Sequence, residues 1–583
     1  MHVIRPWWVL VALVCGVGTL WGESPVVVEQ ASTVSAEEFV QDDDTASALD
    51  SPLTPEQIQM LQQTIDVGRI DLDRLRQIVD EETGHQRLRL SLRECIQLAV
   101  EQNPDLQVTR LEPLKSDADV LAAKGEFDPL VSATANYVRS SQQASVEYRV
   151  FGGIDTIDLY RTTGQTSLSG KLKWGTMYDV TFNLDKTEST YNSFIEEWNG
   201  GLTLTLSQPL LRGRGAKTNL ARVRMAKNAR KITELQLLLS VTTTVSEVVK
   251  AYWDLVGAME SVTVREGALA NAERLLEISQ KRFDIGTAAA IEVLQAKAGV
   301  ATRQSDLIAA RSRVADAGDR LKQLLNMRDD GIFSSKLVLP TDRPSVGELD
   351  IEAFRGADEE LQESIATALQ ARPEILMAHV EIASNKVERS RAANDLLPTV
   401  DVTGSLYQGG RDHYLSGVFD GVHERTDNMY SYGFRGSIPI GNRAARGQFQ
   451  RAGLTLRQSG QRLEKTKQDV MLSVRLAARA LQTSHILVES NRQARLLQET
   501  NVAAEEKRLH LGVSTSYQVL QVQEDLTMAQ TQEVTSRIAY EKALVDLRLA
   551  EGMLVDALGI AFAPPETEPP VTFLRSVYPR EPK

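Results

Sequence analysis

The stretch RFDIG at 282–286, followed by TAAAIEVLQ at 287–295, joins two long predicted helices. The arm before it has no proline from Ala216 to Gly286, about 70 residues that would make a helix about 100 Å long. Gly286 stands where a hairpin needs a residue that tolerates left-handed backbone angles. The stretch therefore predicts a helical hairpin too long for a globular core, so the protein should be elongated. Apolar residues in the arm alternate spacings of three and four, as in a coiled coil: Val245, Val248, Tyr252, Leu255, Met259 and Val262.

The same pattern returns near the C-terminus, where RLHLG at 508–512 precedes VSTSYQVLQ at 513–521. The numbering offset from Gly286 to Gly512 is the same as that from Arg282 to Arg508. An earlier match pairs AVEQNP at 99–104 with ALQARP at 368–373, and Pro129 with Pro398, at a second common offset. Because fixed offsets between prolines and glycines are not heptad features, we interpret the chain as a tandem duplication.

The duplication predicts a domain plan of two helix–strand–helix repeats. The first repeat is 89–329, with strands at about 130–208 and a hairpin at about 216–327 whose tip is residue 286. The second is 361–561, with strands at about 399–440 and a hairpin at about 443–558 whose tip is residue 512. The remaining predicted parts are a signal peptide (1–22), an acidic extension with one helix at 54–82 (23–88), a connecting segment (330–360) and a proline-rich tail (562–583).

The N-terminus predicts secretion. His2 and Arg5 precede the apolar run WWVLVALV at 7–14, and small residues continue to Gly22, as in a secretory signal peptide. A membrane anchor is disfavoured because the run is shorter than about 18 residues. A lipoprotein is disfavoured because Val14 stands where a lipobox needs a small residue. We expect no later helix of membrane-spanning length, so any membrane contact should come from strands.

Alternating residues predict strands that are apolar on one face and polar on the other. Val131 and Tyr137 oppose Ser132 and Asn136, and similar alternation follows at 168–184, 202–206, 400–403 and 431–440. Such strands suit a half-buried soluble sheet or a membrane barrel; the signal peptide and polar loops favour the barrel. Each half should supply an even number of strands, because both flanking helices leave from the same side. Open edges are costly in lipid, so other copies should complete the barrel.

These features together resemble the TolC-like outer-membrane efflux and export channels over about residues 88–560. The motifs are FDPLV at 127–131, SQPLLRGRG at 207–215 and the paired turns RFDIG and RLHLG. The resemblance implies an α+β membrane protein: a homotrimeric outer-membrane β-barrel in lipid, continued by a periplasmic helical coiled-coil barrel. It also implies a passive exit duct of a tripartite efflux pump or type I secretion system. The implied partners are an inner-membrane pump and its periplasmic adaptor (membrane fusion) protein.

The resemblance also suggests functional positions. It puts the adaptor-docking tips at Gly286, Gly512, Arg282 and Arg508, and a possible gate region at Asp284, Glu292, Gln518 and Gln521. Family members often carry acidic residues just beyond the tip glycines, but here Gln518 matches Glu292 in the second repeat. One departure concerns 166–185, an apparent hairpin around Trp174–Met177 without a counterpart in the second half. It could add barrel strands or an extracellular hairpin.

Other classes of function have less support in the sequence. A net charge of −13 without a basic face argues against a nucleic-acid partner, and two cysteines, Cys15 and Cys95, exclude a disulfide framework. Seven scattered histidines, no HExxH and no GxSxG leave no predicted catalytic, cofactor or metal site. GRGAKT at 213–218 lacks the adjacent Gly-Lys of a phosphate loop. The alternative to a channel is an elongated periplasmic coiled-coil protein with a soluble β domain.

Overall fold

A computed structural model of the protein describes residues 87–559, except residues 154, 191–192, 330–331, 334–335, 345–356 and 426. The predicted signal peptide, the helix at 54–82 and the tail at 562–583 lie outside the described residues. The helices are α1 Leu92–Gln102, α2 Pro104–Lys124, α3 Val146–Gly152, α4 Ala216–Asn219, α5 Ala221–Asp284, α6 Ala290–Leu325, α7 Ala357–Ala371, α8 Pro373–Asn394, α9 Leu415–Glu424, α10 Arg443–His510, α11 Ser516–Glu551 and α12 Leu554–Ala557. The strands are β1 Arg87–Leu90, β2 Leu130–Gln143, β3 Thr156–Lys171, β4 Met177–Ser189, β5 Glu197–Pro209, β6 Arg328–Asp329, β7 Ile332–Phe333, β8 Leu337–Pro340, β9 Thr399–Asp412 and β10 Asp427–Ser437.

Two long helical hairpins, α5–α6 and α10–α11, are the longest elements of the structure. Their first arms have 64 and 68 residues, about 100 Å each at 1.5 Å per residue. The hairpins pack together mainly through α11 and α5. Glycines allow close approach at this interface, because a Cβ on Gly257 would lie 2.9 Å from Ile538 and one on Gly299 would lie 2.8 Å from Leu520.

Helix α5 also corrects one expectation. It contains an 18-residue window of mean hydropathy 1.2, long and apolar enough by composition to cross a membrane, so the expectation that no later segment reaches that length is wrong. The apolar residues have another use in the structure. Val245, Val248, Tyr252 and Leu255 are fully buried in the main hydrophobic cluster, together with residues of α1, β1 and β8.

The structure has short strands beside this cluster that were not predicted individually from the sequence. Strand β1 pairs in parallel with β8, and β6 pairs with β7. The buried hydroxyl of Tyr252 donates a hydrogen bond to Asp342 Oδ2 at 2.9 Å. It also accepts hydrogen bonds from the backbone N–H groups of Thr341 and Asp342, each at 3.1 Å. This network fixes the segment after β8 against α5.

In both repeats, the residue before the second short helix donates a hydrogen bond to the end of the second hairpin arm. Asn103 separates α1 from α2 and caps α2, because its Oδ1 accepts hydrogen bonds from the N–H groups of Asp105 (3.0 Å) and Leu106 (3.2 Å). Its Nδ2 donates to the carbonyl of Leu324 at the end of α6, at 2.9 Å. The matching Arg372 of the second repeat donates from Nη1 to the carbonyl of Leu549 in the last turn of α11, at 3.0 Å.

The strands predicted in both repeats form one antiparallel sheet of order β10-β9-β5-β4-β3-β2. In the described residues the first repeat supplies four strands and the second supplies two, so both numbers are even, as the chain path requires. Within 166–185, residues 166–171 belong to β3 and residues 177–185 to β4, so the predicted hairpin consists of two sheet strands joined by a turn. The last strand ends at Ser437 rather than near residue 440, because Pro439 has no N–H for a ladder.

Candidate functional site

The sheet register places most apolar side chains on one face, although Tyr407 and Met429 lie on the other. One row shows this: Leu168 lies opposite Val180, Val180 opposite Leu204, and Leu204 opposite Leu406. The neighbouring row is polar, with Ser167 opposite Thr181 and Thr181 opposite Thr203. The apolar face comprises Val131, Ala133, Ala135, Tyr137, Leu168, Tyr178, Val180, Phe182, Leu184, Leu202, Leu204, Leu206, Val402, Leu406, Tyr430, Tyr432 and Phe434. The alternation predicted for single strands thus continues from strand to strand in these rows, and it is weakest on β3, where Thr162 and Thr166 lie on the apolar face.

The apolar face is exposed, most of all at the sheet edges. Tyr432 is 86% exposed and Phe434 70% on β10, and Tyr137 is 65% exposed on β2. No described strand pairs with the outer edge of β2 or of β10. A large exposed apolar surface with open backbone edges is rare in a soluble monomer and indicates a surface that something else covers.

Tyrosine rings cover two glycines of the sheet. A Cβ on Gly170 would lie 2.4 Å from Tyr178 Oη, and one on Gly201 would lie 2.4 Å from the ring of Tyr407. In each pair the ring covers a neighbouring strand where only glycine fits. Aromatic cover of a strand glycine helps to fix the register of neighbouring strands.

The apolar face gives way to charged residues at the end of the sheet that lies away from the long helices. There Lys186 pairs with Glu188 (2.8 Å) and Glu196 (2.9 Å) and lies over the ring of Trp198. Helix α9 covers the apolar face nearby, with the ring of Phe419 stacked on Phe182 at a centroid distance of 5.9 Å. The uncovered apolar surface is therefore a band between this charged end and the helices.

At the other end of the molecule, the two hairpin tips have the same backbone geometry. Gly286 (φ +78°) and Gly512 (φ +71°) both adopt the left-handed conformation expected from the sequence. In the first tip the N–H of Thr287 donates to Arg282 O at 2.8 Å, and in the second the N–H of Val513 donates to Arg508 O at 3.0 Å. These bonds, with those from the glycine N–H groups, make a Schellman motif that ends each long helix.

Directly above the tips, a polar cluster connects the two hairpins. The hydroxyls of Ser279 on α5 and Ser516 on α11 are fully buried and lie 2.9 Å apart. Ser516 also donates to Glu292 Oε2 at 3.1 Å, and Arg282 Nη1 lies 3.7 Å from the same oxygen. The cluster lies close to an apolar contact of Leu275, Leu509 and Val519. We call Ser279, Arg282, Glu292 and Ser516 the tip cluster.

The structure brings together only some of the residues predicted at the tips. Arg282 and Glu292 meet in the tip cluster, whereas Gln518 makes a capping box with Thr515 at the start of α11. Asp284 is exposed and accepts from Gln280 at 3.0 Å, and the side chain of Gln521 is exposed. Arg508 pairs with Glu505 at 3.1 Å and stays 58% exposed, compared with 21% for Arg282.

Equivalent positions of the two repeats explain why Arg508 and Arg282 have different partners. The same positions contain a sequence signal for the tip cluster that was not recognised. Glu505 precedes Arg508 by the same spacing as Ser279 precedes Arg282, so this position is acidic in the second repeat and a serine in the first. Arg508 therefore has a carboxylate on its own helix, whereas Arg282 finds one on α6, in Glu292.

A further ion pair between the hairpins was also not predicted. Arg303 on α6 pairs with Glu524 on α11, and the Arg303 side chain is only 8% exposed. This contact adds a second polar connection between the repeats, farther from the tips than the tip cluster.

Apolar residues surround the tips on the outside. Ile285 is 74% exposed and Leu511 78% exposed, each next to its tip glycine, and Val513 and Tyr517 are more than half exposed. The two hairpin ends thus present exposed aliphatic groups on rigid turns. Such groups suit contact with another protein.

Within the described residues, no group of three or more His, Cys, Asp and Glu side chains could hold a metal ion. Cys95 is fully buried on α1, and this burial raises the pKa of its thiol, which leaves the thiol uncharged and unreactive at neutral pH.

Comparisons with known proteins agree with this architecture. The outer membrane efflux protein family matches residues 95–327 and 364–553, more than half of the chain. No curated protein sequence matches the chain significantly. Among solved structures, the Campylobacter jejuni CmeC outer membrane channel has a TM-score of 0.57 at 16% identity, over 79% of this chain and 86% of that one.

Two further outer-membrane proteins show the same fold. The Vibrio cholerae outer membrane protein VceC has a TM-score of 0.56 at 17% identity, over 79% of this chain and 96% of that one. The Neisseria gonorrhoeae MtrE outer membrane channel, in its open state, has a TM-score of 0.54 at 17% identity, over 79% of this chain and 89% of that one. The family match spans both repeats, and the protein therefore belongs to the outer membrane efflux protein family of TolC-like channels.

Proposed function

We propose that the protein is the outer-membrane exit duct of a tripartite efflux pump or type I secretion system. Three copies would share one β-barrel in the outer membrane, and their helices would form a tunnel through the periplasm. The chain catalyses nothing in this proposal; transport energy comes from an inner-membrane pump. The observation that carries it is the six-stranded sheet, apolar on one face, polar on the other and open at both edges.

The edges of the sheet support closure by other copies. Strand β2 runs away from the helices and β10 runs back toward them, so β10 of one copy and β2 of the next would pair antiparallel. Repeating a head-to-tail contact closes a ring when the rotation fits. Closure removes the unpaired backbone groups that lipid does not tolerate. The apolar face would then contact lipid, and the polar face would line the lumen.

The helices favour the same contact between copies. Helix α8 packs against α5 and α10, and α2 packs against α5, so α2 and α10 are the outer helices of this layer. Both carry exposed aliphatic side chains, among them Val108 (64%) on α2 and Leu472 (56%) and Leu497 (67%) on α10. A neighbouring copy that pairs with β10 would also cover α10.

The tips support docking of a periplasmic adaptor. Ile285, Leu511 and Val513 are exposed beside Gly286 and Gly512, where the elongated hairpins end farthest from the sheet. Arg282 and Arg508 fix these turns through their carbonyl groups. The predicted signal peptide at 1–22 would export the chain to the outer membrane of a Gram-negative envelope.

The first test is the mass of the complex extracted by detergent from the outer-membrane fraction, measured by light scattering and corrected for bound detergent. A mass of three mature chains is the expected result. A monomer that stays soluble without detergent would contradict the proposal and favour an elongated periplasmic protein with a soluble β domain.

A further inference from the structure

The additional strands β3 and β4 are as regular as the rest of the sheet. Strand β3 pairs with β2 from Leu130–Ser169 to Gln143–Thr156, and with β4 from Lys171–Met177 to Leu159–Ser189. Strand β4 pairs with β5 without a break from Met177–Ser207 to Thr187–Glu197. An extracellular hairpin would project beyond the sheet, whereas these strands lie between its neighbours.

The turn between β3 and β4 is fixed at the helix end of the sheet. Gly215, which precedes α4, donates its N–H to Trp174 O at 2.9 Å. A Cβ on Gly175 would lie 2.4 Å from Gly213 O, so the turn touches the backbone of the connection from β5 to α4. Lys171 at the end of β3 pairs with Glu126 at 2.7 Å, just before β2. The β3–β4 connection therefore contacts both the segment before β2 and the segment between β5 and α4.

The two faces of β4 match those of its neighbours along the strand, whereas β3 matches them at its helix end and carries Thr166 and Thr162 farther along the apolar face. Leu168 and Val180 lie in the apolar row, and Ser167 and Thr181 lie in the polar row. A strand that crosses a barrel wall needs this alternation, whereas a hairpin surrounded by water does not.

We infer that β3 and β4 are part of the channel wall, so that six strands from each of three copies close an eighteen-stranded barrel. This inference rests on the proposed trimeric channel. At a strand spacing of about 4.8 Å and a tilt of about 40°, eighteen strands give a backbone diameter of about 36 Å. Without the β3–β4 hairpin, twelve strands would give about 24 Å by the same relation. The outer part of the duct is wide enough for a solute as large as a polypeptide.

The test uses single cysteines at one level of the sheet, in a full-length variant without the natural Cys15 and Cys95 (C15A and C95A). The pairs are Ser167/Leu168 on β3, Thr181/Val180 on β4 and, as the control, Thr203/Leu204 on β5. Each variant is reconstituted in lipid and treated with a charged, membrane-impermeant maleimide. Polar-face cysteines should react at least tenfold faster than their apolar-face neighbours on all three strands.

The control strand separates the possible failures. If β5 alternates but β3 and β4 react equally on both faces, the hairpin is outside the wall and the inference is wrong, while the proposed channel stands. If β5 does not alternate either, the proposed channel fails and the inference fails with it. Electron cryomicroscopy of the trimer gives a second measurement, because a barrel of twelve strands would overturn the inference directly.

Discussion

The buried hydroxyls of Ser279 and Ser516 lie 2.9 Å apart although they belong to different repeats of the chain. Ser279 precedes the first tip and Ser516 begins the helix after the second, so this hydrogen bond joins the two repeats. Ser516 also donates a hydrogen bond to Glu292 Oε2 at 3.1 Å, and Glu292 lies beside Arg282. A buried polar network of this kind favours one arrangement of the packed helices, since separation would leave its members unpaired.

We predict that the double variant Ser279→Cys/Ser516→Cys, in a Cys95→Ala background, forms a disulfide under mild oxidation. The two serine oxygens are already close enough that the Cβ atoms need little movement. The bond should hold the hairpins together and reduce the conductance of the channel in planar bilayers, and dithiothreitol should restore it. Each single variant is the control. Complete oxidation without any change of conductance would show that the hairpins need not separate here.

We predict that Gly257→Ala destabilises the hairpin interface. The new Cβ would lie 2.9 Å from Ile538 Cγ1, and overpacking of this kind costs about 1–3 kcal/mol. Gly267→Ala on the same helix is the matched control, because nothing lies within 4 Å of its Cβ position. That variant should gain about 0.8–1 kcal/mol from helix propensity. Thermal unfolding of both purified variants measures the difference, and equal shifts in Tm would contradict close packing at Gly257.

We predict that substitutions of Asn103 separate its two structural roles. Asn103→Ala loses the cap of α2, worth about 0.5–2 kcal/mol, and also leaves the carbonyl of Leu324 without this donor. Asn103→Ser keeps a capping oxygen but cannot reach Leu324, so its stability should be intermediate. Denaturant unfolding should rank wild type above Asn103→Ser and Asn103→Ser above Asn103→Ala. A serine variant as stable as wild type would show that the bond to Leu324 contributes little.

The long hairpins and the two faces of the strands could be predicted because each depends on a local pattern. Proline-free heptads specify a long helix, Gly286 and Gly512 specify its end, and alternation specifies the faces of a strand. The position of the strands at 166–185 inside the sheet could not be derived, because a single strand does not show which neighbours it pairs with. The parallel pair β1–β8 was missed for the same reason, since its two strands lie on opposite sides of the first repeat in the sequence.

The tip cluster was only half predicted. Arg282 and Glu292 stand out as charges near a conspicuous turn, whereas Ser279 and Ser516 are small polar residues without a motif. Their meeting depends on how one repeat packs against the other, and this information lies in no single stretch of sequence. Comparison of equivalent positions does contain a clue, because Glu505 supplies the carboxylate that position 279 lacks.

We predict that Glu260→Gln stabilises the protein at neutral pH. Burial raises the pKa of the Glu260 carboxyl, against the opposing effect of Arg537 and Arg343. A raised carboxyl pKa means that the folded state binds the proton more tightly than the unfolded state. The stability contribution of Glu260 is thus fully present below the unfolded-state pKa, about 4.3, and is lost as the pH rises through the folded pKa.

The variant should consequently exceed wild type in Tm at pH 7 and equal it at pH 4. Glu266→Gln serves as the control, because its pair with Arg311 is at the surface and should contribute little. A Tm difference for Glu260→Gln that does not change with pH would exclude ionisation as its cause.

We predict that Tyr432→Lys impairs assembly in the outer membrane and Ser431→Lys does not. The two residues are adjacent on β10 but lie on opposite faces of the sheet, and Tyr432 is 86% exposed on the apolar face. A lysine that faces lipid costs up to about 2–4 kcal/mol at the middle of the bilayer, whereas one that faces the lumen remains hydrated. The amount of trimer in the outer-membrane fraction, from cells with equal expression, measures the effect. If both variants assemble equally well, the apolar face does not contact lipid; if Ser431→Lys alone fails, the assignment of the two faces is reversed.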